Sequence, residues 1–451
     1  MAQAKQLSDL GLFDSRVPRY TSYPTAPHFA PDFPASAFAG WIEQIPAGSA
    51  ISLYLHVPFC RRLCWFCACR TQGTSSDAPV LAYAETLKTE LELFRKHLPQ
   101  GVRLARLHWG GGTPTMLPAP VMRDLAARVF DIAPLTEDGE FSVEIDPNEI
   151  DEARLDALAD VGMNRASIGI QDFDPEIQGI IGRDQSFDVT KSAADALRAR
   201  GIKSLNADIL YGLPNQTQRR IADSIQKLLS LNPDRIALYG YAHVPWMARR
   251  QQMIPSDTLP RPEERLELFE TARRLLMWDG YDEIGIDHFA RPHDGLAIAA
   301  RTGRLRRNFQ GYTDDVAPVL VGLGASSISR FPQGFAQNTS ATAPWKKAVE
   351  SSQFATARGH AFTPEDIWHS RAIEALMCDF RLKTTELISD YGADPDAVAA
   401  LIDKAVLRFG NFVRKTASGL EITPEGRPLT RMIATVFDAY AMDKAGHSSA
   451  V

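Results

Sequence analysis

The feature of the sequence that most restricts its fold is a regular alternation of strand-like and helix-like segments between residues 51 and 290. Helical patterns lie near 79–97, 119–132, 151–160, 188–200, 217–230 and 262–278. The strand candidates around them are ISLYLHVPF, VRLARLHW, EFSVEIDP, NRASIGIQDF, KSLNADILYG, DRIALYGYA and YDEIGIDHF. Such alternation predicts parallel strands joined by right-handed crossovers. Six or seven units predict an α/β fold, a partial or complete parallel β/α barrel, with an open doubly wound sheet as the alternative.

Polar residues and glycines at the ends of the strand candidates favour the barrel. Reactive groups in β/α barrels sit at the carboxyl ends of the strands, although turns are polar in any fold. Repetition over seven strands gives weight to a functional site at that end. Besides a group of cysteines, the residues concerned are Gly110 to Thr113, Glu144, Gln171, Asp208, His243 and His288.

The pattern divides the chain into three parts. Residues 1–46 form an N-terminal arm, which six prolines predict to have little regular structure. The barrel occupies 47–290, and 291–451 form a mainly helical C-terminal domain with a hairpin in FVRKTASGLEITPEG. Its helices are predicted near 363–380, with Thr363 as N-cap and Pro364 at the first position, and near 383–390, 395–408 and 427–441. Helices with a hairpin resemble a winged helix, but ten basic against thirteen acidic residues in 363–451 predict a structural cap.

Composition excludes several classes of protein. The chain has 451 residues, of which 45% are hydrophobic and 23% charged, so disorder and collagen-like repeats are excluded. A formal net charge of −6 argues against general binding of nucleic acid. No run of 18 uncharged apolar residues predicts a membrane span, and MAQAKQLSDLGLFDSR lacks the apolar stretch of a secretory signal. We therefore expect a cytoplasmic protein.

Four of the five cysteines lie within ten residues, at Cys60, Cys64, Cys67 and Cys69. The fifth, Cys378, sits in the apolar helical pattern IEALMCDF and is predicted to be a core residue. A structural zinc site usually takes two short cysteine pairs from separate segments. The single-loop spacing C-x3-C-x2-C suits a larger iron–sulfur cluster better, with three thiolate ligands and one open iron. Zinc and a redox dithiol remain the alternatives.

The spacing C-x3-C-x2-C directly after a first barrel strand resembles the radical S-adenosylmethionine (SAM) family. In that family the open iron binds SAM, and one electron cleaves it to methionine and a 5′-deoxyadenosyl radical. Gly110-Gly111-Gly112-Thr113-Pro114 after the second strand resembles the glycine motif of the family, where glycine allows close approach of the ligand. A phosphate loop is the alternative, but no Gly-Lys-Ser/Thr follows.

A closer resemblance covers nearly the whole chain. The matching segments are RYTSYPT at 19–25, LYLHVPFC at 53–60, the extra Cys69, HWGGGTPT at 108–115, EIDP at 144–147, DHFARP at 287–292 and NFQGYT at 308–313. They are similar to the oxygen-independent coproporphyrinogen III dehydrogenases (oxidases) of the HemN type. This resemblance implies that two propionates of coproporphyrinogen III are converted to vinyl groups, giving protoporphyrinogen IX in haem biosynthesis.

The resemblance also implies roles for individual residues. Cys60, Cys64 and Cys67 would ligate one [4Fe–4S] cluster, while the role of Cys69 stays open, with simple packing as one option. Two SAM molecules would bind, the first at Tyr54, Gly111, Glu144 and Ile328. The second would contact Phe66, Gly112, Thr113, Gln171, Arg183, Asp208 and Ala242. Without the resemblance, the residues alone allow core filling for Phe66, helix N-caps for the acids and a surface ion pair for Arg183.

A tetracarboxylate substrate requires a local group of cations in a chain of negative net charge. The candidates are Arg301, Arg304, Arg306 and Arg307 beside Phe309 and Tyr312, and Arg19 with Tyr20 and Tyr23 in the arm. A solvated basic surface is the alternative for 301–307. The resemblance further implies a flavodoxin- or ferredoxin-like electron donor, and we expect a monomer. A haem-binding chaperone of similar architecture is the alternative function, but such relatives lack the extra cysteine and the 19–25 segment that are present here.

Overall fold

The computed structural model describes residues 2–202, 204–440 and 449–450. None of the helices within these residues combines the length and apolar character needed to cross a lipid bilayer. The helices are α1 (Ala2–Asp9), α2 (Ala35–Glu43), α3 (Ala78–His97), α4 (Ala119–Ile132), α5 (Glu152–Asp160), α6 (Pro175–Ile181), α7 (Phe187–Ala199), α8 (Gln218–Ser230), α9 (Pro262–Trp278), α10 (Gly295–Arg301), α11 (Thr342–Glu350), α12 (Pro364–Asp379), α13 (Thr384–Ser389), α14 (Pro395–Phe409) and α15 (Thr430–Ala434).

The strands alternate with the helices in the first two thirds of the chain and cluster after residue 300. They are β1 (Ala30–Pro31), β2 (Ala50–Val57), β3 (Phe59–Cys60), β4 (Gln72–Gly73), β5 (Arg103–Gly111), β6 (Leu135–Ile145), β7 (Arg165–Gln171), β8 (Ser204–Tyr211), β9 (Arg235–Gly240), β10 (Asp282–Ile284), β11 (His288–Ala290), β12 (Arg306–Asn308), β13 (Gly311–Thr313), β14 (Leu320–Leu323), β15 (Ile328–Phe331), β16 (Gly334–Asn338), β17 (Thr356–Ala361), β18 (Arg381–Lys383), β19 (Val413–Thr416) and β20 (Gly419–Ile422).

The first six predicted strands form the parallel centre of one large sheet, in the order β2-β5-β6-β7-β8-β9. Their alternate side chains and the connecting helices enclose one hydrophobic core, which contains Trp109, Phe141 and Phe94 without solvent contact. Because right-handed crossovers place all these helices against the sheet, the parallel strands curve into a partial barrel. The predicted α/β barrel class is confirmed.

The seventh predicted strand, YDEIGIDHF, is wrong as a single parallel strand. It forms the hairpin β10–β11, and β11 pairs with β9 in antiparallel direction. The reason lies at Gly285, where φ is +57° and a Cβ atom would lie 2.0 Å from the ring of Tyr312. The Tyr312 hydroxyl accepts a hydrogen bond from the N–H of Ile286 at 3.1 Å, which fixes the turn. His288 therefore begins a strand, whereas Glu144 and Gln171 lie at the carboxyl ends of β6 and β7.

The prediction of little regular structure in the arm is wrong as well, since the arm contains α1 and α2. Helix α2 buries Phe38 and Ile42 in the barrel core. The segment after α1 instead buries Leu12, Tyr20 and Tyr23 in the core of the C-terminal domain. The prolines therefore separate short elements that long-range packing stabilises.

The sheet continues past residue 290, which the sequence pattern does not predict. Strand β14 pairs with β2 in parallel, and β15, β16 and β17 extend the sheet in antiparallel order. Strand β14 is thus the direct neighbour of the first barrel strand. The edge of the barrel next to β2 is consequently built by the C-terminal third of the chain.

The C-terminal elements follow the prediction closely. Thr363 caps α12 in a capping box with Asp366, and β19 and β20 form the expected hairpin, with β18 as a third strand. Cys378 is buried on α12, which confirms it as a core residue. The last predicted helix is shorter than expected: α15 follows a 3₁₀ segment, Pro424–Leu429, that contains Pro428. The predicted end of that helix at 441 lies outside the described residues.

Candidate active site

The loop between β2 and α3 carries the four clustered cysteines. Strands β3 and β4 pair in parallel within it and hold its two ends together. Cys60, Cys64 and Cys67 are half-buried. Cys69 is exposed, and its backbone N–H donates to Cys67 Sγ at 3.4 Å. Burial raises the pKa of Cys60 to about 11, and the charges of Cys67 and Cys64 add to the increase. The loop thus brings the three predicted ligands within electrostatic reach of one another.

The three thiols of the cysteine loop suit an iron–sulfur cluster better than a single metal ion. Within residues 2–202, 204–440 and 449–450, no three His, Cys, Asp or Glu side chains converge on the position of a single metal ion. Thiolate sulfur is the ligand of iron–sulfur clusters, and three thiols in one loop leave one iron of a cubane open. The chemistry of Cys60, Cys64 and Cys67 therefore suits a [4Fe–4S] cluster.

The carboxyl end of α6 supports the cysteine loop. Gly182 ends the helix with φ +67°, and a Cβ atom there would lie 2.9 Å from the ring of Trp65. Trp65 donates its N–H to the carbonyl of Ile181 at 2.9 Å, so its ring packs on the helix end. The next residue, Arg183, donates from Nη1 to Cys64 Sγ at 3.5 Å.

Arg183 has donor capacity left for a ligand. Its Nη2 donates to the carbonyl of Gly169 at 2.7 Å and to Gln185 Oε1 at 2.8 Å. Its buried Nε has no hydrogen-bond partner in the described part of the chain. The side chain is 12% exposed, and Asp146 Oδ2 lies 3.9 Å from Nη1. The alternative of a surface ion pair is therefore wrong, and the guanidinium lies beside the cysteine loop.

The glycine segment after β5 brings its backbone against the cysteine loop. Gly112 donates its N–H to the carbonyl of Val57 at 2.8 Å, and Thr113 donates to the carbonyl of Phe59 at 2.7 Å. A Cβ atom on Gly112 would lie 2.5 Å from the Phe59 carbonyl oxygen. Gly111 has φ +116°, a conformation that side chains disfavour. Glycine is thus required for this close approach, which leaves a backbone surface suited to a small ligand.

Replacing Gly112 by alanine tests this packing. The new methyl group must displace the Phe59 backbone next to Cys60, and we expect a loss of about 1–3 kcal/mol in the free energy of unfolding. The matched control is Gly179→Ala in α6, where a Cβ atom would meet no atom within 4 Å. Urea unfolding of both variants measures the difference. Equal stability of the two variants would contradict the packing argument.

Glu144 lies at the end of β6 and bridges the glycine segment and β5. Its Oε2 accepts the N–H of Gly111 at 3.0 Å, and its Oε1 lies 3.4 Å from His108 Nε2. Burial opposes ionisation of Glu144, but the hydrogen bonds from His108 and Gly111 hold its pKa below the ordinary value. Tyr54 stacks on His108 with 5.7 Å between ring centroids. Glu144 is therefore an ionised acceptor inside the barrel, and the alternative of a helix N-cap is wrong.

Asp208 lies on β8, within electrostatic reach of Glu144. Asn206 Nδ2 donates to Asp208 Oδ1 at 3.0 Å. Burial, followed by the charge of Glu144, raises the pKa of Asp208 to about 7, while the charge of Arg183 acts against this increase. Asp208 lies within a strand, so it is not a helix N-cap either. Gln171, the last residue of β7, has φ +71° and completes this side of the site.

Ala242 and Phe66 are joined by a single side chain. Gln251 Nε2 donates to the Phe66 carbonyl at 2.7 Å and to the Ala242 carbonyl at 3.0 Å. Phe66 also packs against a hydrophobic cluster that includes Tyr241, so it fills space as well as flanking the cysteines. Arg250 donates to the Cys69 carbonyl at 3.2 Å. The segment after β9 thereby covers the cysteine loop.

Ile328 approaches the site from the C-terminal third of the chain. Gly322 of β14 pairs with Tyr54 of β2, and a Cβ atom on Gly322 would lie 2.6 Å from the Ile328 carbonyl oxygen. The glycine therefore lets the backbone of Ile328 come close to the strand position of Tyr54. Contacts and charges thus connect the predicted residues around the barrel, from the cysteine loop through Arg183, Asp208 and Glu144 to Tyr54.

Several residues of this site were not predicted from sequence. His108, Gln185, Asn206 and Gln251 hold the predicted residues in place. His108 and Asn206 lie two residues from the Gly110 and Asp208 positions on the same strands, so the period of a strand could have indicated them. Gln185 lies in a loop and Gln251 in a short 3₁₀ helix, Arg249–Met253, and no sequence signal marks them.

A cavity of about 780 Å³ opens beside this site, between the barrel, the arm and the C-terminal domain. Ala242 and His243 line it, together with Arg19 and Arg307. The other arginines of the predicted basic run lie elsewhere: Arg301 pairs with Asp282 at 2.5 Å, and the exposed Arg304 donates to Thr302 at 3.1 Å. Arg306 donates to the Leu305 carbonyl at 3.0 Å. Only part of the predicted cationic group thus reaches the cavity.

Comparison with known proteins agrees with the fold and the cysteine loop. A family model described as the Radical SAM superfamily matches residues 54–228. The barrel, the three-cysteine loop and this match define the class of protein, whose members use a [4Fe–4S] cluster and SAM.

Full-length relatives narrow the class to one family. An oxygen-independent coproporphyrinogen III oxidase of Paracoccus denitrificans is 66% identical over 451 residues, with complete coverage of both chains. One from Escherichia coli is 37% identical, covering 95% of this chain and 94% of the relative. The solved structure of coproporphyrinogen III oxidase (HemN) from Escherichia coli, a radical SAM enzyme, has a TM-score of 0.89 at 35% identity and covers 95% of this chain and 100% of that one. The chain belongs to the oxygen-independent coproporphyrinogen III oxidase family, which confirms the resemblance seen in the sequence.

Proposed function

We propose that this protein catalyses the oxygen-independent oxidative decarboxylation of coproporphyrinogen III to protoporphyrinogen IX. The observation that carries the proposal is the connection between the three-cysteine loop and a large cavity with arginines in its lining: Gln251 binds both Phe66 of the loop and Ala242, which lines the cavity. Two propionate side chains become vinyl groups, each by loss of a hydrogen atom, CO₂ and one further electron. The full-length similarity to oxidases of this name supports the same assignment.

We assign Cys60, Cys64 and Cys67 as the ligands of one [4Fe–4S] cluster. The covering residues support the assignment: Trp65 packs on α6, and Gln251 and Arg250 hold the loop from the opposite side. These contacts limit the access of water to the thiols. The guanidinium of Arg183, in contact with Cys64 Sγ, compensates negative charge at the cluster. When bound, the cluster and SAM supply a 5′-deoxyadenosyl radical, which can take a propionate hydrogen that no side-chain base removes.

We further propose two SAM sites, in agreement with two rounds of reaction. Each site combines backbone at the glycine segment with one carboxylate, and the two carboxylates, Glu144 and Asp208, are close enough for the charge of Glu144 to raise the pKa of Asp208. Ionised Glu144 can accept from hydroxyl or amino groups, and the unused Nε of Arg183 can donate to a carboxylate ligand. The first site comprises Tyr54, Gly111, Glu144 and Ile328. The second comprises Phe66, Gly112, Thr113, Gln171, Arg183, Asp208 and Ala242.

We also propose that a flavodoxin- or ferredoxin-like protein donates the electron, that the enzyme acts as a monomer and that it works in the cytoplasm. All five cysteines are free thiols, which a reducing compartment maintains. The cluster loop reaches the surface at the exposed Cys69, which offers a short path for an electron from a partner.

Anaerobic turnover tests the proposed function. The protein with reconstituted cluster, a reductant, SAM and coproporphyrinogen III should release two equivalents of CO₂ per protoporphyrinogen IX, together with 5′-deoxyadenosine. Formation of 5′-deoxyadenosine without release of CO₂ would contradict the proposal that coproporphyrinogen III is the substrate. Tight binding of haem without vinyl product would favour a haem-binding chaperone instead.

Asp208→Asn tests the second SAM site. At pH 8, where Asp208 with its pKa of about 7 is mostly ionised, the substitution removes a charged acceptor. We expect SAM to bind about tenfold more weakly at that pH, since a hydrogen bond to a charged group contributes about 1.5–3 kcal/mol. Equilibrium ultrafiltration of the cluster-loaded protein measures the affinity and the number of bound molecules. The control is Asp223→Asn, an exposed carboxylate on α8. Unchanged affinity in Asp208→Asn would contradict its role.

A further inference from the structure

The guanidinium of Arg183 lies against β7 at a position where the strand has no side chain. A Cβ atom on Gly169 would lie 3.2 Å from Arg183 Nη2, so glycine leaves the room that the guanidinium occupies. Nη2 has two acceptors, the Gly169 carbonyl at 2.7 Å and Gln185 Oε1 at 2.8 Å. Nη1 donates to Cys64 Sγ, while the buried Nε has no partner among the described residues. A buried donor of this kind is unfavourable until a ligand accepts from it.

The amide of Gln185 has only one orientation that satisfies its neighbours. Gln185 is 1% exposed, and its Nε2 donates to the Gly169 carbonyl and to Thr190 Oγ1, each at 3.0 Å. Thr190 donates its hydroxyl proton to the Ser186 carbonyl at 3.1 Å, so its oxygen is an acceptor for Gln185. A reversed amide would place its oxygen against the Gly169 carbonyl and its NH₂ group against Arg183. Oε1 is therefore the atom that meets Arg183.

A second glutamine fixes the backbone of Gln185. Gln178 on α6 is 5% exposed, and its Oε1 accepts the N–H of Gln185 at 3.2 Å. Its Nε2 donates to the Gln185 carbonyl and to the Asp172 carbonyl at 2.7 Å. Because Asp172 directly follows β7, these bonds join β7, α6 and the loop that carries Arg183 and Gln185. The acceptor for Arg183 is thus held in place before a ligand binds.

The amide of Gln185 is neutral, so it orients the guanidinium without taking up its positive charge. The carboxylate oxygen Asp146 Oδ2 lies 3.9 Å from Nη1, beyond hydrogen-bond distance, and Asp146 Oδ1 accepts the N–H of Asn148 at 3.0 Å. The guanidinium can therefore still attract a carboxylate that accepts from Nε.

We infer that Gln185 is a positioning residue, which orients Arg183 toward the carboxylate of the SAM molecule in the second proposed site. This inference rests on the proposed function and adds a residue to that site. Gln185 acts through Arg183, since both polar atoms of its side chain are bonded within the protein. Without the amide, Arg183 Nη2 loses one of its two acceptors and the guanidinium can turn away from the ligand.

Gln185→Met tests the role, because methionine is similar in size and offers no strong acceptor. The cluster-loaded protein is equilibrated with SAM or with decarboxylated SAM, which lacks the carboxylate, and bound ligand is measured by ultrafiltration. We expect one of the two bound SAM molecules to bind about tenfold more weakly, because Arg183 is no longer held toward its carboxylate. Binding of decarboxylated SAM should be unchanged. Gln226→Met, at an exposed position on α8, is the matched control.

A double-mutant cycle with Arg183→Gln distinguishes positioning from a general disturbance of the fold. If Gln185 acts through Arg183, the Gln185→Met change should alter SAM binding by less than about twofold once Arg183 is already replaced. A general disturbance would weaken binding by the same factor in both backgrounds.

Two results for the single variant would overturn the inference: wild-type affinity for SAM, or equal weakening of SAM and decarboxylated SAM. Additive effects of the two substitutions would overturn it as well. Binding of only one SAM molecule by the wild type would overturn the second site together with the role of Gln185. These measurements need no substrate, so failure of the wild type to decarboxylate coproporphyrinogen III would instead contradict the proposed function.

Discussion

Cys64→Ala is expected to abolish both the iron–sulfur cluster and the formation of protoporphyrinogen IX. The change leaves two thiols of the proposed ligand set and removes the sulfur that Arg183 contacts at 3.5 Å. Iron and sulfide content after anaerobic reconstitution should fall to background. Product formation should fall by more than about 10³-fold, which corresponds to over 4 kcal/mol of transition-state stabilisation.

Cys378→Ala provides the matched control for the loss of a thiol. Cys378 is buried in a small hydrophobic cluster with Leu305 and Tyr312, away from the cysteine loop. We expect full cluster content and activity, with a small loss of stability from the smaller side chain. Retention of iron, sulfide and activity in Cys64→Ala would contradict the assignment of Cys64 as a cluster ligand.

The repeating part of the fold could be predicted because its signal is local. Strands β7 and β8 bury alternate residues, β2 and β9 bury short continuous apolar runs, and the connecting helices bury one face, so a short window contains the information. The β10–β11 hairpin was not predicted because the residue that fixes its turn is distant in the sequence. Tyr312 enters the turn at Gly285 from 27 positions further along the chain. The same applies to α2, whose Phe38 and Ile42 are buried by the barrel.

The residues of the candidate site differ in the same way, since some have a local signal in the sequence and others do not. Residues at strand ends, such as Glu144 and Gln171, carry a positional signal in a βα repeat. The arginines that line the cavity do not, because Arg19 and Arg431 lie at opposite ends of the chain and meet only through the packing of the arm on the C-terminal domain. Arginine density in the sequence indicated 301–307, yet it is the burial of Arg307 that distinguishes it from Arg301 and Arg304. Local charge density is therefore a poor guide to a cation site that several segments assemble.

Glu90→Ala is expected to cause a large loss of stability in the part of the fold that joins the C-terminal strands to the barrel. Glu90 lies on α3 without solvent contact. Its Oε2 accepts the N–H of Gly324 at 2.7 Å and Trp345 Nε1 at 3.0 Å, and its Oε1 accepts Asn338 Nδ2 at 2.9 Å. Removing the acceptor leaves these buried donors unpaired, at about 1–3 kcal/mol each.

The loss of stability caused by Glu90→Ala should decrease as the pH rises. Burial raises the pKa of Glu90 to about 7 in spite of its three hydrogen bonds, compared with 4.5 as the ordinary value. Between pH 4.5 and about 7, the carboxyl group of Glu90 therefore binds more protons in the folded protein than in the unfolded chain. Its contribution to the free energy of unfolding is complete below pH 4.5 and declines as the pH rises to about 7. We expect Glu90→Ala to cost about 4 kcal/mol at pH 5.5 and clearly less at pH 8.

Urea unfolding at both pH values measures this dependence, with Glu85→Ala as the control on the same helix. Glu85 is 71% exposed and its ion pair with Lys88 is a surface contact, so its loss should cost less than about 0.5 kcal/mol at either pH. A Glu90→Ala protein as stable as the control at pH 5.5, or a difference that grows toward pH 8, would contradict the argument. Because Gly324 directly follows β14, the neighbour of the strand that carries Tyr54, the Glu90→Ala change should also weaken binding at the first SAM site.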